Sequence, residues 1–235
     1  MMGLMPALPL ARLAGLLADP TRAAMCLALL DGRAWTAGEL AHHVGVVAST
    51  ASEQLSRLVA GGLLVEERQG RHRYLRLAGP DTAALIEDLA AFAAKSASAP
   101  APRNLRDSIR RSAEAHARTC YDHLAGRLGV ALADALLARG VVTQEAGLAV
   151  TGPGRAWLAG IGIDLDPKRR GARPLVRSCL DWTERRPHLA GVLGVALRAH
   201  AMNTGWLEPV GTGRALRITP SGADALHELF GIDAA

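Results

Sequence analysis

The sequence predicts a mainly α chain with small β-hairpins (α+β), organised in two parts. Three observations predict it. Apolar residues recur at spacings of three and four through much of residues 10–95, the period of helices with one buried face. Residues 63–77 break that period and read as two short strands around Arg68-Gln69-Gly70-Arg71-His72, a hairpin pattern. Further on, ten residues repeat: H-L-A-G-R-L-G-V-A-L at 123–132 and H-L-A-G-V-L-G-V-A-L at 188–197, nine of ten identical at an offset of 65.

Residues 10–18 are helical in composition. Asp19 then suits an N-cap and Pro20 a first helical position. The helix from Pro20 to Leu30 is expected to bury Ala23, Leu27 and Leu30, with Cys26 beside them as a small hydrophobe. Asp31-Gly32 ends it. Thr36 caps the next helix, with Glu39 at capping-box spacing, and Gly45 makes the turn after Val44. The following helix, Ala48 to Ala60, buries Ala51, Leu55 and Leu58. Ser49, Thr50, Ser52, Glu53, Gln54 and Arg57 occupy its other faces. Gly61-Gly62 stops it, and the two strands follow. Pro80-Asp81 opens a helix whose Leu85, Ile86, Leu89 and Phe92 offer an apolar face to a symmetry mate. Residues 95–103, K-S-A-S-A-P-A-P-R, read as a linker.

Helix, tight turn, helix and hairpin in that order form a winged helix-turn-helix, which lays its second helix in the DNA major groove. Short hydroxyl side chains approach base edges without steric cost, and a glutamine such as Gln54 pairs bidentately with adenine. Arg68, Arg71 and Arg73 in the hairpin would reach phosphates or the minor groove. The net charge of +5 is modest for such a role. Residues 1–95 hold 9 Lys/Arg and 9 Asp/Glu, so local clustering must carry the attraction. Arg68, Arg71, His72, Arg73 and Arg76 supply that clustering. The alternative for these residues is a solvated helix face and an ordinary exposed hairpin.

L-A-D-P-T-R, G-E-L-A, S-T-x-S-x-Q-L-x-R-L, A-G-G-L-L and R-x-G-R-x-x-Y-L-R-L together resemble the ArsR family of bacterial winged-helix repressors over about residues 8–95. The resemblance implies a homodimer on a palindromic operator, released when an effector binds. It implies that Ser49, Thr50, Ser52, Glu53, Gln54 and Arg57 face DNA, with Arg71 and Arg73 in the wing. Two positions depart from the pattern. Val47 stands where a capping Ser is usual, and Glu53 where a neutral or basic side chain is commoner. The family's best-known metal sites use a Cys-x-Cys pair before the recognition helix, or Asp/His pairs in the dimer helix. Here the first place reads T-A-G-E-L, and residues 81–94 carry Asp81, Glu87 and Asp88 without histidine. Neither site can be built with thiolate or imidazole ligands, so sensing is expected in the second half.

Residues 104–235 read as a duplicated domain of two winged-helix-like repeats, about 104–168 and 169–235. Each repeat is expected to run helix, Gly, strand, turn, strand, then T-x-x-G opening a helix. Residues 164–174 form the basic joining loop, either a connector or a DNA contact. Cys120-Tyr121-Asp122 echoes Cys179-Leu180-Asp181. Matching positions in a duplicated domain meet at the pseudo-axis. Cys120, Tyr121, His123, Cys179, Trp182 and His188 are therefore the candidate effector pocket. His116, Cys120 and His123 would share one helix face at spacings of four and three, and with Cys179 make a candidate metal set. The stripe Ile109, Ala113, Ala117, Cys120, Leu124 reads Cys120 as core instead, and the repeated histidines would then bond backbone carbonyls.

No apolar run approaches the roughly 20 residues that span a bilayer, and the start lacks a secretory pattern. Cys26, Cys120 and Cys179 are too scattered for a disulfide framework. A cytoplasmic protein is expected. Gly-rich phosphate loops, G-x-S-x-G and H-E-x-x-H are missing from the sequence. The sequence therefore reads as a dimeric DNA-binding transcriptional repressor with no resident cofactor, released from double-stranded DNA by a small molecule or metal. One alternative is constitutive DNA binding with a second half that is only an interaction module. The other is an enzyme with a DNA-binding head.

Overall fold

The computed structural model describes residues 7–70, 72–96, 104–165 and 173–233. Arg71, most of the expected linker and most of the joining loop lie outside them. The chain divides into two compact units, Met1–Ile86 and Glu87–Ala235.

In the first unit, α1 (Ala7–Leu17) is followed by α2 (Pro20–Ala28), which Asp19 caps by accepting the Arg22 N–H at 2.9 Å. A 3-10 turn over Leu29–Asp31 ends at Gly32 in the left-handed conformation. The buried face of α2 is Arg22, Met25 and Cys26; of the expected stripe Leu30 is buried in the turn that follows, Ala23 is half-buried and Leu27 is 42% exposed. Arg22 explains the rotation. Its guanidinium donates to the Leu16 and Gly15 carbonyls and to Gln54 Oε1. Such charge-assisted bonds outweigh one leucine's burial. Cys26 is fully buried, and burial pushes its thiol up to about 11 against the pull of Arg22. It is an inert core side chain.

A two-residue strand, β1 (Trp35–Thr36), precedes α3 (Ala37–Val44). The Thr36–Glu39 capping box is complete in both directions. Gly45 turns the chain at φ 73, and α4 (Ala48–Ala60) buries Ala51, Leu55 and Leu58. Strands β2 (Leu64–Gln69) and β3 (His72–Leu77) form the wing in a sheet of order β1-β3-β2, with Arg68 opposite Arg73. Helix α5 (Pro80–Ser96) runs through the division between the units. The N-cap of α4 is Val47, 68% exposed and without a side-chain bond. Val47→Ser is therefore expected to stabilise the first unit by about 1 kcal/mol, measurable by chemical denaturation.

The second unit continues with α6 (Leu105–His116). Then the order hairpin, helix, hairpin, helix occurs twice. The first round is β4 (Arg118–Cys120), β5 (His123–Ala125), α7 (Gly126–Ala138), β6 (Val142–Thr143), β7 (Ala149–Val150) and α8 (Gly152–Gly160). The second is β8 (Arg177–Leu180), β9 (Pro187–Ala190), α9 (Gly191–Asn203), β10 (Leu207–Pro209), β11 (Leu216–Ile218) and α10 (Pro220–Phe230). Each round thus opens with a hairpin that sequence reasoning did not anticipate.

The repeated motifs have physical reasons. Thr151 caps α8 by accepting the Gly154 N–H at 2.9 Å, and donates to the Gly140 carbonyl at 2.7 Å. Thr219 does the same with Gly222 and Gly205. A Cβ on Gly154 or Gly222 would meet the backbone at 2.3 or 2.1 Å. T-x-x-G therefore encodes a helix start pressed against its own hairpin. In H-L-A-G-x-L-G, the first glycine opens the helix at a positive φ, 77° at Gly126 and 81° at Gly191. The second lies against its own strand, where a Cβ on Gly129 or Gly194 would meet the Leu124 or Leu189 carbonyl oxygen at 2.6 or 2.5 Å. Each helix also packs on the other repeat's hairpin, α7 on β9 and α9 on β5. Leu128, Leu132, Leu136, Leu158, Leu193, Leu197, Leu226 and Phe230 share one core from both repeats.

Candidate nucleic-acid interface and buried Cys-His cluster

The outward side of α4 presents Ser49, Ser52, Glu53, Ser56 and Arg57, all exposed, while Thr50 and Gln54 are half-buried. The helix starts directly after the Gly45 turn and packs on α3, so the polar face is held by the buried Ala51-Leu55-Leu58 side. The Gln54 carbonyl accepts from Arg22 at 2.6 Å, a tie between α2 and α4 that engages the oxygen a bidentate pair with adenine would use.

Beside α4 stands the wing. Arg68 is exposed and Arg73 half-buried. Both guanidiniums face Glu66, at 3.3 Å and 2.7 Å, and Arg73 also reaches Ser56 Oγ on α4 at 3.4 Å. Arg57 pairs with Glu53 at 2.6 Å. The hydrogen bond from Arg68, with Arg73 beside it, holds Glu66 below the usual carboxylate range. Two acids thus position three arginines and offset part of their charge, which fits the balanced charge count of this half. Sequence reasoning did not assign Glu66 this role. Its signal was an acid two residues from one wing arginine and, by hairpin register, near the other.

The second unit contains a closed polar cluster. Cys120 pairs directly with His123 across β4–β5, and Cys179 with His188 across β8–β9. Directly opposed residues on antiparallel strands project to one face, so each hairpin presents one thiol and one imidazole together. The two hairpins meet through β5 and β9. Cys120, His123, Cys179 and His188 are all at most 4% exposed. One ligand atom from each lies within 4.8 Å of the others. The Nε2 atoms of the two histidines face one another at 3.0 Å. Outward, His123 Nδ1 lies 3.3 Å from Asp122 Oδ1, and His188 Nδ1 lies 3.3 Å from Asp181 Oδ2, the latter poorly aligned for a hydrogen bond. Glu87 of α5, the first residue of this unit, accepts from Cys120 Sγ at 2.7 Å and lies 3.7 Å from Cys179 Sγ.

These neighbours shift one another's protons. Burial pushes the Glu87 carboxyl up to about 7, and Cys179 adds to the effect. Burial opposes charge on His123, but its hydrogen bonds to Asp122 and Cys179 and the nearby Glu87 outweigh that and raise it to about 9. His188 is raised in the same way by Asp181 and Cys179 against burial. The bond between the two thiols makes Cys120 the protonated partner, an effect that burial reinforces. Cys179 is favoured as thiolate by that bond and by both histidines, despite burial.

The surroundings hold the cluster in place. Arg118, fully buried, meets Asp181 at 2.8 Å, and Asp181 also accepts the Gly126, Thr183 and Glu184 N–H groups. Asp122 pairs with Arg173 at 2.7 Å. Tyr121, in the turn between Cys120 and His123, has φ 53. That conformation costs a bulky residue on the order of 1–3 kcal/mol and persists where the surroundings enforce it.

Comparison with known proteins gives the class. A helix-turn-helix domain model matches residues 17–67. The HTH-type transcriptional regulator YdfF of Bacillus subtilis is 39% identical over 220 residues, 93% of this chain and 96% of its own length. The chain belongs to the HTH-type transcriptional regulators. This regulator is also similar to CmtR of Mycobacterium tuberculosis, an HTH-type transcriptional regulator, with 42% identity over 80 residues, 34% of this chain and 67% of CmtR. Among solved structures, the homodimeric winged helix-turn-helix domain of Mb0332 from Mycobacterium bovis aligns at a TM-score of 0.36, with 32% identity over 41% of this chain and 93% of that one. The regulator binds DNA through its winged helix-turn-helix, and its first unit has the order of elements that the ArsR resemblance implied.

Against that frame the expected site residues divide. Ser49, Ser52, Glu53, Arg57 and Arg68 stand at the regulator's surface, with Thr50 and Arg73 half-buried. Arg71 lies outside the described residues. In the second unit, the expected helix through His116, Cys120 and His123 does not form. Helix α6 ends at His116, Ala117 turns extended, and Cys120 and His123 sit on opposite strands. Hairpin pairing, with Asp181 holding Arg118 and the Gly126 N–H, overrides local helix propensity there. His116 instead accepts from Arg127 at 3.2 Å and is no part of the cluster. Ile109, expected on a buried stripe, is 62% exposed. Of the expected effector-pocket residues, Cys120, His123, Cys179 and His188 touch in a closed cluster rather than lining an open concavity. Trp182 stacks under Arg118 at 4.8 Å and is 37% exposed, and Tyr121 is half-buried.

Proposed function

We propose that this regulator is a cytoplasmic homodimeric repressor on a palindromic operator, released when the second unit takes up an effector. On this reading Ser49, Thr50, Ser52 and Arg57 approach base edges, and Arg68, Arg71 and Arg73 meet phosphates. The second unit carries control and no enzymatic step. No single helix among the described residues is long and apolar enough to cross a membrane.

The observation that supports a dimer is the outer side of α5. Ala83, Ile86 and Ala91 are buried, yet Leu89 is 46% and Phe92 69% exposed. On α1, Leu8 and Leu10 are 75% and 65% exposed. Exposed large apolar side chains on two helices favour covering by a second copy. The test is light scattering with a gel shift on the intergenic DNA beside the regulator's own gene. Wild type is expected as a dimer that shifts the DNA. Leu89→Glu with Phe92→Glu is expected to give monomers with at least about tenfold weaker binding, because a half-site contact alone loses the linked second one. A variant that stays dimeric and binds equally well would count against this interface.

A further inference from the structure

We propose that Cys120, His123, Cys179 and His188 are the four ligands of a thiophilic divalent cation, zinc in class, held at the seam between the two repeats. The donor set is two sulfurs and two imidazole nitrogens, all buried and all within 4.8 Å of one another. A tetrahedral site with bonds of about 2.0–2.3 Å needs ligand separations of roughly 3.3–3.8 Å, so small shifts complete it, drawing the widest donors in and easing the two imidazole nitrogens slightly apart. The two Nε2 atoms already converge at 3.0 Å. Each outer Nδ1 has an aspartate 3.3 Å away, the carboxylate–histidine pairing that orients metal-binding imidazoles.

The backbone supports this reading independently. A Cβ on Gly129 would lie 3.6 Å from the His188 Cβ, and one on Gly194 3.0 Å from the His123 Cβ. The helices therefore back both histidines, tightly behind His123 and at ordinary contact distance behind His188. A disulfide between Cys120 and Cys179 would use neither imidazole and would leave their convergence without a purpose. Buried polar groups without strong partners are costly, and among the described residues the thiols face each other, a carboxylate and the two imidazoles.

Glu87 gives the site a route to α5. Cys120 donates to its carboxylate, and Cys179 Sγ lies 3.7 Å from it. As the cation binds, the Cys120 proton leaves for solvent and a sulfur-to-metal bond replaces that donor. The buried carboxylate then loses its hydrogen bond and faces two thiolates, so α5 readjusts where it carries Glu87. That this readjustment weakens DNA binding rests on the repressor reading above. The site itself does not.

The test uses the full-length chain, reduced and stripped with a chelator, then titrated with cobalt(II) and competed with zinc(II). One equivalent per chain is expected, with the visible bands of tetrahedral thiolate-bound cobalt, bleached by zinc. Cys120→Ser, Cys179→Ser and His188→Ala are each expected to weaken cobalt affinity on the order of 100-fold or more, and Asp122→Asn about 10-fold. His116→Ala is expected to change nothing. Circular dichroism checks that each variant folds, and a zinc-dependent rise in wild-type Tm supplies a readout that needs no variant. Absence of stoichiometric uptake by the wild type, or uptake unchanged by Cys120→Ser and Cys179→Ser, overturns the site. A native Cys120–Cys179 disulfide overturns it in favour of a redox pair. One equivalent of metal with unchanged DNA affinity supports the site and overturns its control of binding. Glu87→Gln is expected to keep the stoichiometry and to lose the metal's effect on DNA.

Discussion

Asp181→Ala is expected to cost the second unit about 3–5 kcal/mol, enough to unfold it at moderate temperature. The aspartate and Arg118 are both fully buried, 2.8 Å apart. Removing one partner leaves the other as an uncompensated buried charge. Asp181 also accepts the backbone N–H groups of Gly126, Thr183 and Glu184, and unsatisfied donors add to the loss. Arg118→Met is expected to cost less, because Asp181 keeps those donors while the methionine fills the apolar volume. Urea unfolding of both variants checks the order. Equal stabilities, or a more stable alanine variant, would show that Asp181 is not the tie that the geometry makes it.

The joint replacement of Arg68 and Arg73 by alanine is expected to weaken DNA binding by roughly 10- to 100-fold at low salt. Each lost phosphate contact should also lower the slope of log affinity against log salt by about 0.9, so the pair should lower it by about 1.8. Anisotropy titrations across a salt series measure both quantities. An unchanged slope would mean that the wing does not meet phosphates and would leave that contact to Arg57 and Arg76. In this variant Glu66 loses both arginines that donate to it.

The DNA-binding half was largely legible in the sequence because its signals are local. The Thr36–Glu39 box, the Gly45 turn, the Ala51-Leu55-Leu58 stripe and the Gly70 hairpin each depend on residues a few positions apart. Where a distant partner decides, local reading failed. Arg22 turned the buried face of α2 and occupied Gln54 from 32 residues away. The hairpins at β4–β5 and β8–β9 were missed because strands of three or four residues carry almost no period of their own. Their form is set by pairing and by Asp181, which lies 63 residues from Arg118. The duplication did point to the seam where cysteines and histidines meet. Nothing near Glu87 in the sequence announced that it joins them.

The crossed packing of α7 on β9 and of α9 on β5 has a consequence for ancestry and for truncation. Each repeat uses the other's hairpin as the floor for its own helix, so neither is complete alone. A single-copy precursor would have had to pair with an identical chain, and such a pair would bring one Cys-His couple from each member to its two-fold axis. Fusion of two such copies would make that symmetric contact permanent and free each copy to diverge. A chain cut between the repeats should accordingly recover its fold only when the missing half is supplied in trans.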